Sequence, residues 1–155
     1  MGTLASNRKG YIVGATSSEY NTSHAATTGT AYDAVSSNAN TAIQYYFSTG
    51  RGGGTHRFTR TFIHFDTEGI SGGSSFQLVL TSTAGNNSSD DYNVIAVTHA
   101  AGESGGGELA NDDFNNIDRT TPWSASTAWP SSGSVTFTLN AAAATQIVNE
   151  NDFNI

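Results

Sequence analysis

The chain has 155 residues, of which 36% are hydrophobic and only 12% charged, and its net charge is −7 at neutral pH. Six Lys and Arg cannot neutralise a phosphate backbone, so nucleic acid and anionic membranes are poor partners. The lack of cysteine removes disulfide and thiolate chemistry. No run approaches the ~20 apolar residues of a membrane helix.

One domain fits this length. The polar residues are Ser, Thr, Asn and Gly rather than the Lys and Glu that cover helices. Thr-rich segments between Gly, Asn and Ser turns favour an all-β protein. Residues 1–10 are small and polar and read as a flexible N-terminal arm, with residues 11–155 as the domain. Met1 to Tyr11 has no apolar stretch of signal-peptide length, which leads to the expectation of a soluble chain that is not exported by an N-terminal signal.

Tyr11-Ile12-Val13 is the first expected strand. Thr16 to Thr30, almost all Ser, Thr, Asn, Ala and Gly, reads as a long surface loop. Thr41 to Phe47 is a strand rich in aromatics, and Arg51 to Gly54 is a glycine turn. Arg57 to Asp66 follows, with the apolar run Thr61-Phe62-Ile63-His64-Phe65 flanked by Arg60 and Asp66. After a turn, Phe76, Leu78 and Leu80 alternate with Gln77, Val79 and Thr81, giving a strand with one apolar face. These two strands read as the middle of an antiparallel sandwich.

Gly85 to Asp91 is a polar turn. Tyr92 to Thr98 is apolar on both faces, as central strands are. Ala100 to Thr121 is irregular and acidic, and Pro122-Trp123 and Trp129-Pro130 bracket a loop. Val135, Phe137 and Leu139 alternate with Thr136 and Thr138 as a late strand. Asn140 is placed to cap a short helix through Val148, with Ala143 and Ile147 on one face. The fold expected is all-β: an antiparallel, jelly-roll-like β-sandwich with one short helix near the C-terminus.

Arg60-x-Phe62-Ile63-x-Phe65-Asp66, then Ile70, Phe76-x-Leu78-x-Leu80 and the run Tyr92 to Val97, resembles the DNRLRE-type β-sandwich domains of bacterial surface and phage virion proteins. Asp112-Asp113-Phe114-Asn115, Val135 to Ala141 and Ile147 resemble the phage-type members. The resemblance covers residues 57–155 and rests on packing motifs. It implies a jelly-roll-like, non-enzymatic domain similar to carbohydrate-binding modules. Family members continue past the short helix into closing strands, whereas this sequence ends at Ile155. Phe153 and Ile155 have the spacing to begin such a strand; either the sandwich closes differently here or a partner subunit supplies the missing edge.

His64 with Asp66 could form an acid–base or metal pair, but no H-x-H or H-E-x-x-H spacing supports it, and a solvent-facing polar residue is the simpler reading. Arg60 and Asp66 read as structural, at the sandwich edge and the turn. The best metal candidate is the run Asn111 to Asp118, where Asp112, Asp113, Asn115 and Asp118 are hard oxygen donors suited to Ca²⁺. It lacks the turn glycine and distal Glu, so a solvated acidic loop competes. Trp123, Trp129 and Tyr20 could stack on sugar rings; the alternative is that the two Trp plug one end of the sandwich or an interface. No G-x-S-x-G elbow is present.

These readings converge on a non-enzymatic bacteriophage virion protein, a head-decoration (cement) protein on the capsid surface, made in the host cytoplasm. Its expected partners are capsid or other virion proteins and copies of itself, a trimer being one arrangement. The alternative is a carbohydrate- or receptor-binding module of a phage tail or bacterial surface protein, with a glycan as ligand.

Overall fold

The computed structural model describes residues 3–34, 43–51, 53–82, 93–99, 109–130 and 132–155. Nine strands (β1 to β9) dominate the described residues, with two α-helices and one 3-10 helix. The expected all-β class holds. The described chain falls into two compact units that interleave in sequence. The first comprises Met1–Asp66, His99–Ile117 and Asn154–Ile155; the second, Thr67–Thr98 and Asp118–Phe153.

In the first unit, strands β1 (Arg8–Gly14), β2 (Gly29–Ala34), β3 (Gln44–Gly50) and β4 (Gly53–Asp66) form one sheet in the order β2-β1-β4-β3. The three pairings are antiparallel. β4 is long enough to pair with β1 over Thr59 to His64 and with β3 over Gly53 to Thr59. The β3–β4 turn closes at Gly50 opposite Gly53, whose φ of 107° is the left-handed region that glycine tolerates.

Two expectations are corrected here. Strand structure begins at Arg8, inside the stretch read as a free arm, and Asn7 N–H donates to the His64 carbonyl at 3.2 Å. The stretch Thr16 to Thr30, read as loop, contains helix α1 (Tyr20–His24) and the start of β2. That helix is held by tertiary contacts. Ser23 is buried, and its hydroxyl reaches the carbonyls of Ala15 (3.1 Å) and His56 (2.8 Å).

Ile12, Phe62 and Phe114 form the core of this unit, with Phe58, Ala31, Leu109 and Ile117 packed around them. Ile12 opposes Arg60 in the register, so Ile12, Phe58, Arg60 and Phe62 share one face of the sheet. Phe114 comes from the 3-10 helix Asn111–Asn115, and its ring lies where a Cβ on Gly14 would stand, 2.4 Å away. Arg60 crosses this core with its guanidinium 3.9 Å from the centre of the Phe114 ring. It donates to the carbonyls of Phe114 and of His24, the latter at 2.6 Å.

The last residues of the chain also belong to this unit. Ile63 N–H donates to the Ile155 carbonyl at 2.7 Å, and Ile155 N–H returns a bond to the Ile63 carbonyl at 2.9 Å. The edge of β4 beyond β3 is therefore covered by the same chain, and the strand expected at Phe153 exists as β9 (Asp152–Asn154).

In the second unit, β5 (Gln77–Ser82) pairs antiparallel with β8 (Gly133–Thr138). A two-residue β6 (Asn93–Val94) pairs with β7 (Thr127–Ala128). The strand expected from Phe76 is present as β5, with β8 as its partner. The run Tyr92 to Thr98 is corrected too, since only Asn93–Val94 is strand among its described residues and Ile95 is exposed.

The late strand is as expected, with Val135, Phe137 and Leu139 buried and Thr136 and Thr138 exposed. Helix α2 (Ala141–Asn149) follows. The Asn140 side chain accepts from Ala143 N–H at 3.0 Å, satisfying one of the free donors of the first turn. Its buried residues are Ala143, Ala144 and Ile147.

The turn Gly85 to Asp91 and the glycine run at 105–107 lie outside the described residues.

Candidate ligand-binding surface

Strand alternation decides where the aromatics of β3 go. Tyr45, Tyr46 and Phe47 are consecutive, so Tyr45 and Phe47 point to one face and Tyr46 to the other. The register sets Tyr45 opposite Phe58 and Phe47 opposite His56. One face of the β3–β4 hairpin is thus lined with four rings. Helix α1 adds Tyr20 and His24, one turn apart and stacked at 6.0 Å.

The rings interlock. Phe47 stacks on His56 at 4.6 Å, and Tyr45 lies on Phe58 at 5.0 Å. Tyr20 meets Tyr45, His56 and Phe58 edge-on at 5.2 to 5.8 Å. The Tyr45 hydroxyl and His56 Nδ1 are 2.7 Å apart, one hydrogen bond. Phe47 covers Gly54, whose missing side chain leaves room for the ring. Tyr20 and Phe47 remain 48% exposed and Tyr45 38%. Clustered half-exposed aromatics mark an interaction surface more often than single exposed ones do.

The opposite face of the same sheet carries a second set. Tyr32 stacks on Tyr11 at 5.0 Å, and the Arg57 guanidinium lies 5.1 Å from the centre of the Tyr46 ring. Tyr32 and Tyr46 are both exposed.

Of the residues expected to stack on sugars, Tyr20 stands in the first cluster. Trp123 does not present its ring: it is buried, stacked on Phe153 at 4.9 Å, and its backbone bonds to Ala96 and Asn140. Burial of both partners removes the open ring face that a sugar needs, so the expectation for Trp123 is corrected. Trp129 is partly buried, in the second unit.

Two of the residues expected to bind Ca²⁺, Asp113 and Asp118, are engaged in hydrogen bonds within the chain. Asp113 is buried at the 3-10 helix, where its two oxygens accept from Ala110 N–H (2.8 Å) and Asn116 Nδ2 (2.7 Å). Asp112 and Asn115 are exposed on that helix. Asp118 Oδ1 accepts from the Thr120 hydroxyl (2.6 Å) and the N–H groups of Thr120 (2.8 Å) and Thr121 (3.3 Å). These bonds favour the ionised form, first those from Thr120, and hold the Asp118 carboxyl below its ordinary value of 3.8. Among the described residues, no group of three or more His, Asp or Glu gathers to hold an ion.

His64 Nδ1 lies 2.5 Å from Asn7 Oδ1. His99 is buried edge-on against Phe62 at 5.0 Å. Sequence reasoning missed Tyr45, Phe47 and His56. The signal was present: three consecutive aromatics on a strand cannot all enter one core.

No protein-family model, curated protein or solved structure matches this chain.

Proposed function

We propose that the chain is a non-enzymatic structural protein of a bacteriophage virion, a head-decoration protein that docks on the capsid surface. Its strands make up an antiparallel, jelly-roll-like sandwich. The named strand pairings, all antiparallel, and the one-sided burial of β8 support that architecture. The phage-type pattern from Asp112 to Ile147 supports the virion assignment.

One observation carries the docking role: the face of the first sheet that bears Tyr11, Tyr32, Tyr46 and Arg57. Tyr and Arg are the residue types that dominate binding energy at protein interfaces, because each offers a large contact area with a polar tip. With Ile155 bonded to Ile63 of its own chain, docking proceeds through side chains rather than through an exchanged strand.

Co-sedimentation with undecorated capsids, with light scattering of the free protein, tests the proposal. Stoichiometric pelleting is expected, weakened at least tenfold in Tyr46→Ser and Arg57→Ala. A folded protein that never pellets with capsids of any candidate phage refutes the decoration role.

A further inference from the structure

We propose that strand β3 pairs edge to edge with β3 of a second copy of the chain, antiparallel and centred on Phe47. The proposal does not rest on the virion assignment, because it concerns a backbone edge and not the docking face.

The outward groups of β3 follow from its pairing. His56 N–H donates to the Ser17 carbonyl at 2.7 Å, and the His56 carbonyl accepts from Ser17 N–H at 3.1 Å, so both groups point away from β3. Phe47 stands opposite His56 in the register. In an antiparallel ladder such a pair exchanges no hydrogen bonds, and the N–H and C=O of both residues face outward. Phe47 therefore presents both groups on the far side of β3, and Thr49, two residues on, does the same. β3 stands last in the sheet order, and among the described residues no backbone bond reaches Phe47 or Thr49 from that side.

Elsewhere the chain caps the edges of this sheet itself. Asn111 Oδ1 accepts from Ala31 N–H of β2 at 2.9 Å. Ser17 completes β4 where β1 stops, and Ile155 completes it where β3 stops. β3 carries none of the usual guards against pairing. Its residues, Gln44-Tyr45-Tyr46-Phe47-Ser48-Thr49-Gly50, include no charge and no proline.

A second copy fits this edge by symmetry. Phe47 is the middle of the seven-residue strand. A two-fold axis there sets the two Phe47 residues against each other with two mutual backbone bonds, and Tyr45 against Thr49. The Phe47 rings of both copies share one face of the joined sheet, and Tyr46 lies beside Ser48 on the other. Tyr45, Tyr46 and Phe47 remain 38%, 44% and 48% exposed. Each ring then adds about 80–100 Å² to the contact. With the two strand edges the buried area reaches about 1,000 Å², the lower bound of a specific interface. That size supports a reversible dimer of micromolar affinity. The net charge of −7 on each copy opposes association, while the strand itself is uncharged, so added salt should tighten the dimer.

The test is analytical ultracentrifugation of the full 155-residue chain from micromolar to millimolar concentration. A monomer–dimer equilibrium is expected. Thr49→Pro removes one outward N–H and leaves the bonds to β4, and should weaken the dimer at least tenfold. Phe47→Lys sets two like charges against each other at the axis and should abolish it; Thr49→Pro stays informative whatever Phe47→Lys does to folding. The chain has no cysteine, so Phe47→Cys offers a single thiol. The register brings its Cα within about 5.5 Å of its copy, in reach of a disulfide, and mild oxidation should cross-link it faster than Thr81→Cys on β5. The proposal is overturned if the parent chain stays monomeric at millimolar concentration, whether or not the edge accepts a foreign strand. It is also overturned if the dimer persists undiminished in folded Thr49→Pro, if salt dissolves it, or if the two thiols cross-link at equal rates.

Discussion

Replacing Arg60 with Met tests whether the first unit is held together by one cation. The guanidinium donates to the carbonyls of His24 and Phe114, which belong to α1 and the 3-10 helix, and lies over the Phe114 ring. Met keeps most of the aliphatic packing but none of these polar contacts. A hydrogen bond from a charged donor contributes about 1.5–3 kcal/mol, and the ring contact adds about 0.5–2 kcal/mol. Solvation of the released carbonyls offsets part of this, leaving an expected loss of roughly 3 kcal/mol. For a chain of this size that lowers Tm by about 9 °C. Lys retains the charge but cannot fork to two carbonyls, so Arg60→Lys should fall about midway. Thermal and urea unfolding followed by circular dichroism gives the size of the effect. Amide exchange should show the added mobility concentrated at residues 20–24 and 111–115. A Met variant melting within 2 °C of the parent, or exchange that rises uniformly, refutes the reasoning.

Three further outcomes follow from local geometry. Asn140→Ala removes the acceptor for Ala143 N–H and the bond to the Pro122 carbonyl, and should cost about 1 kcal/mol in urea unfolding. Gly14→Ala sets a methyl group against the fully buried Phe114 ring and should destabilise by about 1–3 kcal/mol by the same assay. Asp118 has a lowered carboxyl pKa in the folded chain, so its stabilising contribution is present above its ordinary 3.8 and is lost as pH falls through the folded value. Carbon-detected NMR titration should place Asp118 below its ordinary 3.8, and Thr120→Ala should move it upward.

What the sequence disclosed is uneven for physical reasons. Helix α2 was legible because its start signal is local: an Asn followed by good helix formers, with Ala143 and Ile147 on one face. β8 was legible because Val135, Phe137 and Leu139 alternate strictly with polar residues. Helix α1 was not, because its residues carry no helical pattern and Ser23 holds it through bonds to Ala15 and His56. The neighbour of β5 was equally hidden, since Phe76 to Thr81 specifies a strand and a face but not which strand it joins. The same limit applied to the candidate site. Tyr20 is visible as a lone aromatic, yet its meeting with Tyr45 and His56 depends on the β3–β4 register. Trp123 drew attention because it is Trp, and residue type alone does not report burial against Phe153.

The interleaving of the two units has a consequence for anyone who cuts the chain. It passes from one unit to the other at Asp66, at Thr98, at Ile117 and at Phe153. No continuous stretch carries either unit whole. A bond such as that from Ala31 N–H to Asn111 Oδ1 joins residues 80 apart, and the one from Thr67 to Glu150 joins residues 83 apart. Closing loops of that length precedes the contacts that stabilise them, which slows folding. During that interval the first sheet lacks Phe114, which completes its core. Expression of fragments ending near Asp66 should therefore yield aggregates. Circular permutants, which retain every segment, disturb the two units less than truncation does.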